Sequence, residues 1–228
     1  MKKVAILQSN YIPWKGYFDL INMVDEFIIY DSVQYTKNDW RNRNKIKTSQ
    51  GVIWLTIPVK HSLSQNISEI ETLNNSWRKK HWSTISQSYA KSSFFKEYSE
   101  IFKELYLNSE RTNLNKINLE FIKAVNSILN IKTKISDSLD YEKKGDRVEK
   151  LVNICKQAGA TEYISGPAAK SYIDLNLFES ENIQVSWIDY SGYPSYNQTH
   201  GEFEHAVSIL DLIFNEGENS KQFMKSFL

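Results

Sequence analysis

An α/β fold around a mostly parallel, Rossmann-like sheet, with an inserted helical segment, is predicted by three observations. Val4–Leu7 and Phe27–Tyr30 are short, continuous apolar runs, the pattern of strands covered on both faces. Between them Tyr17, Leu20, Ile21 and Val24 recur at helical spacing, so the chain opens as a βαβ unit. Tyr163–Ser165 and Val185–Ile188 repeat the buried-strand pattern near the other end.

Taken in order, Asp31 ends the second strand, and Gln34 to Lys47 is a polar, basic segment expected to be loop. Ile53–Val59 reads as a strand and Ile67–Leu73 as a shorter one. Trp77–Tyr89 and Phe94–Tyr106 read as helices. Leu114, Ile117, Phe121, Ile122, Val125, Ile128 and Leu129 hold an apolar stripe at helical period. Residues 76–131 are therefore the helical segment within one domain spanning 1–228. Residues 132–145 are lysine-rich and expected to be a surface connection. Asp146 and Glu149 are spaced as a capping box, and Gly159 is placed to end the helix they open. After Val185–Ile188 comes a long aromatic loop, Asp189–Phe203, and then a closing helix over Val207–Phe214.

Bulk properties exclude several classes. The 228 residues are 41% hydrophobic and 24% charged, ordinary values for a soluble globular chain. A net charge of +1 gives no global field toward nucleic acid or an anionic membrane. Cys155 is the one cysteine, which excludes an internal disulfide and fits a reducing compartment. Gln8-Ser9-Asn10 cuts the first apolar run too short for a signal peptide, and no run reaches the ~18 apolar residues of a membrane helix. A cytoplasmic protein without membrane insertion is expected. No Walker loop, Gly-x-Gly-x-x-Gly, Gly-x-Ser-x-Gly or His-Glu-x-x-His is present, and the histidines and carboxylates are too scattered to suggest a metal site.

The turn after the first strand carries Gln8, Asn10, Tyr11 and Trp14, where a plain connector needs only Gly, Asp or Ser. In open α/β folds ligands sit just beyond such strand ends, so these side chains are candidate binding residues. Pro13-Trp14-Lys15-Gly16-Tyr17 loosely resembles the Pro-x-His-x-Gly-His motif of nucleotidyltransferases and pantothenate synthetases. Trp14 and Tyr17 replace both histidines, which counts against that motif's adenylyl transfer. Asp31 ends a strand on the same sheet edge and could hold a hydroxyl or an amine. Gln34, Trp40, Arg41, Asn42 and Arg43 follow. The guanidinium forks suit a pyrophosphate, and the Trp40 ring a base or sugar face. The alternation of basic and aromatic residues also permits an RNA-binding loop, and a solvated basic loop is the plainer alternative.

His81 shares a helical stripe with Trp77 and Ile85. It is either a satisfied core histidine or, given its ordinary pKa of ~6.5, a general base. Gly166 follows a strand end, and Gln198 lies in the aromatic loop, which could close over a ligand.

Several of these stretches together resemble the WbqC family, named after a protein encoded in an O-antigen polysaccharide gene cluster. They are Ile6–Asp19, Asp31–Tyr35, Asp39–Arg43, Trp54–Val59, Lys80-His81, Tyr163–Gly166 and Ser208–Gly217. Ser9 departs from the pattern, which usually has proline there. The resemblance implies an enzyme acting on a nucleotide-activated amino sugar for surface polysaccharide (lipopolysaccharide O-antigen). The expected reaction places an acyl or aminoacyl group, such as glycine, on the sugar amine as an amide. Asp31 or His81 would be the base, Gln8 and Asn10 oxyanion donors, and Arg41 and Arg43 the diphosphate clamp. The donor stays open between ATP-activated free acid, a carrier protein thioester and a charged tRNA. The alternatives are a nucleotidyltransferase or adenylate-forming ligase, and a non-catalytic sugar-nucleotide-binding module.

Overall fold

The structure is a computed structural model that describes residues 1–62 and 64–228. Five strands form one all-parallel sheet: β1 (Lys3–Leu7), β2 (Glu26–Ile29), β7 (Lys134–Asp137), β8 (Glu162–Ser165) and β9 (Gln184–Trp187). Their order is β7-β2-β1-β8-β9. Ala5 lies beside Phe27 and Ile6 beside Ile28 in the β1–β2 register. Helix α1 (Lys15–Asn22) crosses from β1 to β2, and α5 (Arg147–Gln157) crosses from β7 to β8. The chain leaves β1 toward β2 on one side and returns to β8 on the other. That makes the carboxyl end of β1 the topological switch point of the sheet.

Strand alternation divides the core in two. Ala5, Phe27 and Ile29 face a large cluster with α1, α2 (Ser76–Tyr89), α3 (Phe95–Leu107), α4 (Leu114–Ile128) and α7 (Ile209–Glu216). Val4, Ile6, Ile28 and Tyr30 face a smaller one with α5 and the short helix α6 (Leu175–Glu179). Cys155 belongs to the smaller cluster, and burial pushes its thiol pKa up. No helix among the described residues is long and apolar enough to cross a membrane.

Three segments differ from the sequence reading. Part of the basic segment is β3 (Arg43–Thr48), paired antiparallel with β4 (Gly51–Thr56). Its inward positions are Asn44 and Ile46, so polar Asn44 disguises the apolar alternation. The lysine-rich connection holds β7, whose one apolar residue, Ile135, gives no run; charged edge strands are typical of sheets that avoid further pairing. Ile67–Glu69 is a 3-10 turn, with only the two-residue strand β6 (Glu71–Thr72) after it, paired with β5 (Val59–Lys60).

Glu26, 1% exposed, ties the sheet together. It accepts from Lys2 Nζ at 2.7 Å, Tyr141 Oη at 2.8 Å and Ser136 Oγ, and pairs with Lys134 at 2.8 Å. Burial alone would raise its pKa, but Lys134, Lys2, Ser136 and Tyr141 together hold it down to about 2. A depressed carboxylate stabilises the fold above its unfolded pKa, and that stability is lost as pH falls. Thermal denaturation should therefore show stability declining from about pH 4.5 toward pH 2. Glu26→Gln should cost roughly 1–3 kcal/mol at neutral pH, the scale of buried polar groups left unsatisfied. It should also flatten the acid limb, and an equally steep limb in the variant would assign the effect to other groups.

Candidate functional site

The turn leaving β1 is fixed to the end of β2 by a buried carboxylate. Asp31, fully buried, accepts from Ser9 N at 2.8 Å, Ser9 Oγ at 2.6 Å and Asn115 Nδ2 at 2.5 Å. Asn118 Nδ2 donates to Ser9 Oγ at 3.0 Å and to the Arg41 carbonyl at 2.9 Å. Burial raises the Asp31 pKa against these hydrogen bonds, which favour the charged form. Helix α4 thus braces the turn from the opposite side of the sheet edge.

The next residues are strained. Ile12 is buried with φ of 38°, a genuine outlier for a β-branched residue. Asn44 Nδ2 donates to the Tyr11 carbonyl at 3.1 Å and the Ile12 carbonyl at 2.9 Å. Tyr11 N donates to the Trp40 carbonyl at 3.0 Å, and Ile209 N to the Pro13 carbonyl at 2.9 Å. Gly16 has a steric role: a Cβ there would meet the Trp14 ring at 2.3 Å. The glycine lets that ring fold over the start of α1, against Tyr190 and Tyr193.

Two cavities open at this edge. The larger, about 670 Å³, lies at the switch point and is lined by Gln8, Tyr30, Gln34, Thr36, Arg147, Lys150, Ser165, Gly166 and Tyr172, among others. The Arg147 guanidinium lies 3.5 Å above the Tyr172 ring. A Cβ on Gly166 would meet open space. The smaller, about 230 Å³, is lined by Asn10, Pro13, Trp14, Trp40, Asn44 and Ala206. Neither lining contains a carboxylate or a histidine. Gln8 and Asn10 are two residues apart, so their Cα atoms can be no more than roughly 7 Å apart and one turn contributes to both cavities. Arg41 is hydrogen-bonded to Asn10 Oδ1 and lies 3.6 Å from Asp39.

The structure thus brings Gln8, Gln34 and Gly166 to one cavity, Asn10, Trp14 and Trp40 to the other, and ties Arg41 to Asn10. Other expected site residues lie elsewhere. Arg43 stacks over Trp54, with Cζ 4.3 Å from the ring centre. Asn42 is buried and donates to the Ile57 carbonyl at 2.9 Å. Gln198 accepts from Lys47 Nζ at 2.8 Å and from Glu204 N at 2.9 Å, bracing its own loop. That loop is packed: Lys15 Nζ donates to the Pro194 carbonyl at 3.0 Å, among the Tyr193, Tyr196 and Phe203 rings. Burial lowers the Lys15 pKa to about 8, against the pull of Asp19 and Asp211.

Tyr11 and His81 are buried together. Tyr11 Oη is 2.8 Å from His81 Nδ1 and 2.5 Å from Tyr106 Oη. Burial lowers the His81 pKa to about 4, against the Thr56 backbone, which favours the charged form. A neutral imidazole is consistent with Tyr106 donating to Tyr11, Tyr11 donating to Nδ1, and Nε2 donating to the Thr56 carbonyl. Asp31 and His81 line neither cavity.

Arg147 and Lys150 were missed from the sequence, although a signal was present. They stand in the first turn of a helix, where the dipole disfavours cations. A helix that crosses between parallel strands begins at the sheet's carboxyl edge. Reading β7 as a surface connection hid that α5 is such a helix. Among the described residues no group of His, Cys, Asp and Glu is gathered as metal ligands would be.

The fold is an α/β protein with two cavities at the carboxyl edge of a parallel sheet. The WbqC-like protein family matches residues 8–223, and the chain belongs to that family. An uncharacterized protein of Mycobacterium tuberculosis, Rv1507c, is 50% identical over 227 residues, covering 99% of this chain and 98% of its own length. No solved structure matches the chain significantly.

Gly16→Ala should push the Trp14 ring out of the smaller cavity's wall. Overpacking of this kind costs roughly 1–3 kcal/mol. Tryptophan emission and near-UV dichroism should change while far-UV dichroism stays constant; unaltered aromatic spectra would refute the clash. For His81 a pKa below the unfolded value means stability present above about pH 6.5 and lost as pH falls toward about 4. The melting temperature should drop across that window, and His81→Gln should flatten the drop. A variant with the same slope would place the titration elsewhere.

Proposed function

We propose that the protein binds a nucleotide-activated amino sugar and transfers an acyl or aminoacyl group to the sugar amine, for surface polysaccharide synthesis. The observation that carries this reading is the pair of cavities at the switch point, one cationic and one walled by tryptophans. In the larger, Arg147 and Lys150 face no lining carboxylate and suit a diphosphate. Tyr172 and Tyr30 offer rings for the nucleoside. In the smaller, the Trp14 and Trp40 rings with the Asn10 and Asn44 side chains suit a pyranose, which presents an apolar face and hydroxyl edges. Arg41, held on Asn10 of the smaller cavity's lining, would meet the sugar phosphate.

In the transfer, the amine nitrogen attacks the acyl carbon, the leaving group departs with its bonding pair, and the ammonium proton passes to solvent. Gln8 and Asn10 supply amide donors for the developing oxyanion. Asp31 and His81 act as positioning residues, through Ser9 and Tyr11 respectively. A second reading, a sugar-nucleotide-binding module without chemistry, is favoured by the lack of histidine or carboxylate in either lining.

Calorimetry against uridine- and thymidine-diphosphate amino sugars tests the reading. Arg147→Ala and Lys150→Ala should each weaken binding by roughly 1.5–3 kcal/mol, the scale of a charged hydrogen bond. Binding of a nucleoside triphosphate but no diphosphate sugar would replace the proposal with nucleotidyl transfer. Tight sugar-nucleotide binding without amide product, from any acyl donor, would favour the binding module.

A further inference from the structure

Among the described residues the β3–β4 hairpin is joined to no other strand, and its two faces differ sharply. Asn44, Ile46 and Leu55 point to the core. On the other face Lys45 lies opposite Trp54, whereas Lys47 is buried and bonded to Gln198 and the Glu202 carbonyl. Trp54 is 42% exposed and Trp40 is 40% exposed, with ring centres 5.3 Å apart. Arg43 Cζ lies 4.3 Å and Lys45 Nζ 5.3 Å from the Trp54 ring centre. Neither cation has a carboxylate partner among the described residues. Between Asp39 and Glu69 the chain carries Arg41, Arg43, Lys45, Lys47 and Lys60 and no acidic residue. The flanking Asp39 is already engaged by Thr36, Trp40 N and Arg41.

Two exposed indole rings beside two unpaired cations are the equipment of a surface for unpaired bases and their phosphates. A helix of a partner protein would need an aliphatic groove instead, and this face offers indole rings and cations. Trp40 also lines the smaller cavity, so the stacking face borders it.

We propose that the Trp40–Trp54 face of this hairpin, with Arg43 and Lys45, binds a single-stranded nucleic acid. Bases stack on the indoles, and the two cations take the phosphates. Trp54, Arg43 and Lys45 line neither cavity, so the two readings share only Trp40 and are tested apart through the other three residues.

Fluorescence anisotropy with end-labelled oligonucleotides tests it, using short single-stranded RNA, the same sequence as DNA, and a blunt duplex. Single strands should bind and quench tryptophan emission, while the duplex, with its base faces stacked, should bind more weakly. Trp54→Ala should weaken single-strand binding about ten-fold or more, from the loss of one stacked base. Arg43→Ala with Lys45→Ala should reduce the salt slope by about 1.4, two phosphate contacts at ~0.7 each. Sugar-nucleotide affinity in Trp54→Ala should stay at the wild-type value. A preference for RNA over DNA would identify the source of the strand; equal binding would leave the shared chemistry as the ligand. No single-strand binding, equal binding of the duplex, or an unaffected Trp54→Ala would overturn the proposal. Loss of sugar-nucleotide binding alone in Trp54→Ala would assign the indole to the nucleotide site instead. Binding of a poly-glutamate peptide in place of the oligonucleotides would make the face a dock for an acidic protein.

Discussion

The hydrogen bonds between Ser9 and Asp31 hold the structure's ligand edge in place. A buried carboxylate is costly unless every lone pair finds a donor. Here the donors come from the turn after β1 and from Asn115 on α4. Satisfying the carboxylate therefore obliges the first strand turn, the second strand end and the helical segment to meet at one point. Asn118 extends the brace to Ser9 Oγ and the Arg41 carbonyl, which sets where the basic segment begins. Gln8 and Asn10, on either side of Ser9, inherit their positions from this knot.

Around the knot the backbone is held where it would not rest alone. Ile12 stays in the left-handed region because Asn44 engages its carbonyl and that of Tyr11, and because Pro13 is tied to α7. Such strain persists only where neighbours over-determine the conformation, and it concentrates at functional sites. Tyr11 contributes from below through His81 and Tyr106. The imidazole serves as a neutral bridge between α2 and the turn, which makes a histidine in an apolar stripe useful without proton transfer. The packed aromatic loop closes the other flank, with Tyr196 donating to the buried Asp211 at 2.8 Å.

Much of the fold was legible. The strands β1, β2, β8 and β9, the helices α1 to α5 and α7, and the Asp146–Glu149 capping box all carry local signals that packing then reinforced. The site was legible only at its centre. Gln8, Asn10 and Trp14 stand out because a turn needs no such groups, and they do reach the cavities. Arg41 and Arg43 look equivalent in the sequence, yet one meets Asn10 and the other covers Trp54. Arg147 and Lys150 look like ordinary helix-surface cations until α5 is seen to start at the switch point.

By itself the sequence determined the alternation of strands and helices, the sheet's parallel character and the polar turn after the first strand. Those follow from periodicity and residue type, which act over a few neighbouring positions. Tertiary structure alone decided which polar groups are used up internally and which face open space. Asp31, His81, Asn42 and Gln198 bond inward because residues distant in the chain supply their partners. Arg147 and Lys150 border the cavity because the order of strands places α5 there. Such partnerships depend on long-range closure of the chain, and no local pattern encodes them.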